Sequence, residues 1–163
     1  MLAGAEMANA IRATTGRRVT CKWPNDLILH DAKVGGVLLE SSVADDAVRY
    51  VVVGMGVNLE PPHDVPGAGG IGTTVGQRDL LVAFFTRFAA VYTAANRELP
   101  QRVRSAWLSL SATVGQVVRA KTVDGREVTG RAVGIDDFGS LLLSTDAGEA
   151  RVTFGEVEHL GTG

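Results

Sequence analysis

Apolar and polar positions alternate with a helical period at the start of the chain. Leu2, Met7, Ala10 and Ile11 recur at roughly helical spacing, so residues 2–15 are expected to form a helix that Gly16 stops. The period then shortens. Arg18 to Lys22 forms a short strand candidate, and Pro24-Asn25-Asp26 breaks it. Leu27-Ile28-Leu29 resumes an extended run, His30-Asp31-Ala32 has the composition of a hairpin turn, and Val34 to Val43 suits the return strand. Tyr50 to Met55 is continuous, β-branched and apolar, which predicts a strand buried on both faces. Pro61 to Gly76, with three prolines and Gly69, Gly70 and Gly72, predicts a loop. Arg78 to Arg97 then carries Leu80, Leu81, Phe84, Phe85, Phe88, Val91 and Tyr92 as the apolar stripe of a long helix. Phe84, Phe85, Phe88 and Trp107 are expected in the core, the last on a shorter helix that begins at Pro100 and also carries Val103 and Leu110.

The pattern changes again near Thr113. Valine- and glycine-rich runs at Val117-Val118, Val128 to Ile135, Leu141 to Leu143 and Arg151 to Phe154 are separated by turn signals, Asp124-Gly125 the strongest among them. Five short strands joined by tight turns make a small β-barrel. The expected division is therefore 1–112 and 113–163, an α+β sheet with helices followed by a barrel.

Composition narrows the function. Hydrophobic residues make up 45% and charged residues 21%, a globular balance. The net charge of −2 offers no broad positive field for nucleic acid. Eleven basic and ten acidic residues lie in 1–112, five basic and eight acidic in 113–163, so the barrel is mildly acidic. An RNA-binding barrel would have only Phe138 and Phe154 as stacking aromatics. The single cysteine, Cys21, excludes an internal disulfide and reads as a small buried hydrophobe. No apolar run approaches the ~20 residues of a membrane span, and no secretory signal is evident. A soluble, cytoplasmic protein that binds neither membrane nor nucleic acid is expected.

Lysine is scarce: only Lys22, Lys33 and Lys121, against thirteen arginines. Lys22 and Lys33 flank a Trp-Pro-Asn-Asp turn and a glycine pair, where a compact ammonium suits a phosphate or carboxylate. Trp23-Pro24 reads as a plug beside a strand break. Asn25 and Asp26 either form a plain turn or hold a neighbouring lysine and orient an incoming amine. Gly35-Gly36 inside a strand signals a bulge or the close approach of a backbone or ligand. Gly54-Met55-Gly56-Val57-Asn58 repeats the theme, and the Asn58 amide has the donor–acceptor pair to read the edge of adenine, though a turn would also explain it. His30, His63 and His159 lie far apart, in loops or at the chain end, without acidic partners at ligand spacing; no metal site is expected of this chain. Ser41-Ser42 lacks the frame of a hydrolase nucleophile.

Together these segments resemble the biotin–protein ligases. Lys22-Trp23-Pro24-Asn25-Asp26, a second lysine eleven positions on in Lys33-Val34-Gly35-Gly36-Val37-Leu38-Leu39-Glu40, and Gly54 to Asn58 follow the family's motifs in order. The resemblance implies a partial mixed sheet of the class II aminoacyl-tRNA synthetase/biotin ligase type, followed by an SH3-like barrel. It implies ATP-dependent activation of biotin to biotinyl-adenylate, with Mg²⁺, and transfer to a lysine of a biotin carboxyl carrier protein. It assigns Lys33, Lys22 and Asp26 to catalysis, and Lys33, Gly35 and Gly36 to biotin. Lys22, Asn25, Lys33, Gly56 and Asn58 fall to ATP or the adenylate. A homodimer is a possibility the family raises.

The sequence departs from the family pattern in lacking the upstream Gly-Arg-Gly-Arg-x-Gly-Arg-like loop and the strand that lines the biotin ring. The helix at Met1 starts without an arm, so the chain is expected to be a C-terminal portion, weak or inactive alone, with an unpaired strand edge and a stripped apolar face. A non-catalytic relative that binds only the carrier protein, through 113–160, is the alternative.

Overall fold

The computed structural model describes residues 1–94 and 98–161 of the 163. Helix α1 spans Leu2–Thr15 and ends on Gly16, whose left-handed φ of 74° lets its N–H reach Arg12 O at 2.9 Å. Ala3, Met7, Ala10 and Ile11 bury one face of it. Strands β1 (Thr20–Lys22), β2 (Asp26–Leu29), β3 (Ala32–Ala44) and β4 (Ala47–Val57) form one sheet in the order β1-β2-β3-β4. The pairs are all antiparallel; parallel pairing is confined to the isolated bridges Cys21↔Ser111 and Lys33↔Ala68. His30 and Asp31, with φ of 48° and 65°, close the β2–β3 hairpin as its turn signal predicts.

Helices α2 (Gln77–Ala94) and α3 (Leu99–Ser109) complete this half, α1 packing against both. The end of the helix expected to reach Arg97 falls on 95–97, outside the described residues. Pro100 lies in the first turn of α3, where its missing N–H costs nothing. Strands β5 (Val117–Thr122), β6 (Glu127–Ile135), β7 (Leu141–Thr145), β8 (Gly148–Val152) and β9 (Gly155–His159) form the second sheet, ordered β8-β7-β6-β5-β9. Val118, Ala120, Ala132, Ile135, Leu141, Leu143, Val152 and Val157 face inward as its core. The run expected at Arg151 to Phe154 is interrupted: β8 ends at Val152, and the last strand begins at Gly155.

Two expectations about burial fail. Tyr50 to Met55 is a strand, but Tyr50, Val51, Val52 and Val53 are 62%, 49%, 52% and 37% exposed. β4 is the sheet's edge, so its outer side lacks a pairing strand among the described residues. Phe84 is buried on α2, whereas Phe85 is 59% exposed, because the helix is covered by α1 on one side only.

Trp23 ties the two sheets together. Its indole Nε1–H donates to Gly139 O at 2.9 Å, and its backbone N–H donates to Thr113 Oγ1 at 2.9 Å. Cys21 N–H donates to Leu110 O at 2.7 Å and Cys21 O accepts from Ala112 N–H at 2.8 Å, so the chain enters the barrel alongside β1. Burial pushes the Cys21 thiol up to about 12, against a smaller opposing effect of the N-terminal amine, which leaves it an inert core group.

Candidate functional site

One row of residues crosses the first sheet. Lys22 opposes Asp26, Asp26 opposes Gly36, and Gly36 opposes Gly56. Directly opposed residues of an antiparallel pair project to the same face, so these four share one side of the sheet. Cys21, Leu27, Gly35 and Val57 form the adjacent row and project to the other side, toward the helices.

Lys33 would project to the helix side in a regular strand, three residues from Gly36. A register shift between Leu27 and Ile28 changes this: Leu27 pairs with Gly35, and Ile28 with Lys33. The bulge absorbs Val34 and returns Lys33 to the side of Asp26. Lys33 Nζ lies 2.5 Å from Asp26 Oδ1, with side-chain exposures of 56% and 22%. The pair is open to solvent, so its own worth to stability is at most ~1 kcal/mol. Its consequence is geometric, because it holds one ammonium over the glycines.

The glycines differ in what they permit. A Cβ at Gly35 would lie 2.4 Å from Gly56 O, so the close approach inferred from sequence is met by the chain's own strand β4. A Cβ at Gly36 would sit 3.6 Å from Asp26 Oδ1 and 3.8 Å from Lys33 Cε, while at Gly56 nothing lies within 4 Å. Gly36 and Gly56 therefore form a bare floor beside the Lys33–Asp26 pair, on which a ligand can approach the backbone.

Asn25 and Asn58 have local partners. Asn25 Nδ2 donates to Val37 O at 2.9 Å, which pins the turn to β3. Asn58 N–H donates to Val34 O at 2.8 Å and Nδ2 donates to Gly69 O at 3.1 Å; Gly69 N–H in turn donates to Lys33 O at 2.8 Å. Asn58 thus clasps the loop that follows β4 against the backbone of Lys33. These bonds leave the Asn58 Oδ1 and one amide hydrogen for other partners.

On the same face Lys22 also borders a cleft of about 590 Å³ between the sheet and the barrel, lined by Arg18, Thr20, His30, Gln116 and His159 among others. His159, expected in a loop or at the chain end, lies on β9, and its Nε2 is 3.3 Å from Thr113 Oγ1. Neither Thr113 nor His159 stood out in sequence as a partner of the Trp-Pro-Asn-Asp turn. Thr113 is 90 positions from Trp23, and no local periodicity joins them. Among the described residues no group of three or more His, Cys, Asp or Glu side chains could hold a metal ion, and Asp26 is taken up by Lys33. The site therefore offers no protein cage for a divalent ion.

Residues 1–58 match the model of the biotin/lipoate A/B protein ligase family, and residues 113–160 match that of the biotin protein ligase C terminal domain. The biotin–[acetyl-CoA-carboxylase] ligase of Paracoccus denitrificans is 36% identical over 151 residues, which cover 86% of this chain and 62% of that one. The chain belongs to the biotin protein ligase family. The bifunctional ligase/repressor BirA of Bacillus subtilis (strain 168) is a further family member, 28% identical over 172 aligned positions covering 97% of this chain and 51% of BirA. A family fold is seen in the biotin protein ligase from Aquifex aeolicus in complex with biotin and ATP, with a TM-score of 0.77 at 22% identity, over 96% of this chain and 68% of that one. The chain thus spans 51% and 62% of the lengths of the two curated relatives.

Proposed function

We propose that this chain supplies the lysine-bearing half of a biotin-activating adenylate site together with the carboxyl-terminal barrel of the ligase. The observation that carries the reading is the Lys33–Asp26 pair beside the bare Gly36–Gly56 floor, on the same sheet face as Lys22. ATP and biotin are the proposed substrates, and a lysine of a biotin carboxyl carrier protein is the proposed acceptor.

In the first step a biotin carboxylate oxygen bonds to the α-phosphorus of ATP and pyrophosphate leaves. Two anions must meet, and charge builds on the phosphoryl oxygens. Lys33 lowers that repulsion at the carboxylate and α-phosphate, Lys22 adds a second positive charge, and the glycines let the ligand reach the sheet backbone. Asn58, already bracing the loop over Lys33, presents its free Oδ1 and N–H to adenine, and Asn25 keeps the turn in place beneath the nucleotide. In the second step the carrier lysine amine attacks the biotinyl carbonyl and AMP leaves. Asp26 exchanges its partner from Lys33 to the incoming lysine and orients its neutral amine, which sheds a proton to solvent as the N–C bond forms and the C–O bond to AMP breaks. Magnesium is assigned no step, since the described residues present no cage for it; any such ion would ride on the phosphates.

A segment covering the apolar hairpin of β3 and β4 is part of this reading, supported by the exposure of that face. Leu38, Leu39, Val43 and Val48 are exposed alongside Tyr50 to Val53. Biotin-dependent exchange of pyrophosphate into ATP tests the reading. The chain alone is expected to show little exchange. Mixed with a polypeptide that carries the upstream portion of a relative, it is expected to gain exchange and carrier labelling, both lost in Lys33→Met. Carrier binding with no exchange under any of these conditions would favour the non-catalytic alternative.

A further inference from the structure

The Lys22–Asp26 turn is held from the barrel by a chain of hydrogen bonds that ends on a titratable group. Thr113 is fully buried, and its Oγ1 accepts the Trp23 backbone N–H at 2.9 Å. Its own O–H must then find an acceptor, and the polar atom recorded beside it is His159 Nε2 at 3.3 Å. The arrangement is satisfied when His159 is neutral and carries its proton on Nδ1, so that Nε2 accepts. Protonated, the ring has donors on both nitrogens, the Thr113 hydroxyl loses its acceptor, and a second cation stands beside Lys22.

We propose that Thr113 and neutral His159 are positioning residues that fix the Lys22–Asp26 turn from the barrel and release it when His159 gains a proton. This rests on the reading of that turn as part of the adenylate site. Charged groups reach the same cleft from each side. Arg18 and Lys22 come from the β1 segment, His30 and Asp31 from the β2–β3 turn, and Glu158 from β9 itself. Glu158 is engaged by Arg119 at 3.1 Å, and Lys22 opposes a charge on the ring. Burial, and then Lys22, hold His159 below its ordinary value of 6.5. A base depressed in this way contributes stability that is full above 6.5 and is lost as pH falls through the lower folded value.

The test is a pH titration of the whole chain by nuclear magnetic resonance, following the His159 ring and the Trp23 amide, with neither biotin nor ATP present. The two signals are expected to move with one midpoint below 6.5, and the protection of the Trp23 amide, relative to its intrinsic exchange rate at each pH, to fall roughly tenfold on the acid side, the loss of about one hydrogen bond. Thr113→Ser is expected to keep the linkage, and His159→Gln to abolish it, while His30→Gln leaves it intact. Thr113→Val removes the relay but also orphans a buried N–H; if it fails to fold, the partly exposed His159→Gln still decides. A Trp23 amide indifferent to the His159 titration, or one still titrating in His159→Gln, overturns the proposal. Because the readout needs no substrate, a failure of this clasp is distinguishable from a failure of the ligase reading.

Discussion

The barrel and the β3–β4 hairpin draw on the same kinds of side chain, and the two are buried very differently. Val118, Ala120, Leu141 and Leu143 in the barrel are 0% exposed, while Val48, Val51 and Val52 in the hairpin are 63%, 49% and 52% exposed. The five strands of the barrel turn their apolar face to a buried core. The hairpin has helices under part of one face and an open edge at β4. A β-branched run therefore records that a surface is to be covered, and it leaves open whether the cover comes from the same stretch of chain. In this family member the uncovered face adjoins the proposed reactive lysine, so cover and catalysis are expected to arrive together.

A lysine placed in each region gives the widest contrast. Val152→Lys buries an unpaired ammonium in the barrel and is expected to cost about 3–5 kcal/mol in urea unfolding. Val52→Lys in the hairpin is expected to change stability by no more than ~0.5 kcal/mol while lowering self-association in light scattering. Equal costs at the two positions would mean that the hairpin is covered in solution. The two glycines of the β3–β4 pairing sharpen the contrast further. Gly35→Ala drives a Cβ into the Gly56 carbonyl and is expected to cost about 1–3 kcal/mol, whereas Gly56→Ala meets open space and stays within ~0.5 kcal/mol. The open ion pair offers no such contrast in stability. Asp26→Asn is expected to change stability by less than ~1 kcal/mol while slowing transfer to the carrier in the supplemented reaction. A larger loss would assign Asp26 to the fold instead.

Local signals carried most of the elements. The α1 period with Gly16, the His30-Asp31 turn, the break at Pro24 and the turn-punctuated barrel each rest on interactions within a few residues, and each is found where its residues indicate. Burial was legible only where the described residues supply a cover, and the readings of Tyr50 to Met55 and of Phe85 fail because Tyr50 to Val53 and Phe85 stand exposed among them. At the site, residue types were readable and geometry was not. The bulge at Leu27/Ile28 decides that Lys33 joins Asp26 on one face, and a two-residue period applied to Lys33 and Gly36 would separate them. The Thr113–His159 clasp joins elements distant in sequence, so only the docking of the barrel on β1 reveals it.

The central claim is that Lys33 stands at an adenylate site. Calorimetric titration with a non-hydrolysable biotinyl-adenylate analogue tests it most directly, on the chain supplemented with the upstream portion of a relative. Lys33→Met is expected to weaken binding at least tenfold, the loss of about one charge-assisted hydrogen bond, while Lys121→Met on the barrel leaves binding unchanged. Equal affinity of Lys33→Met and the unaltered chain would contradict the account.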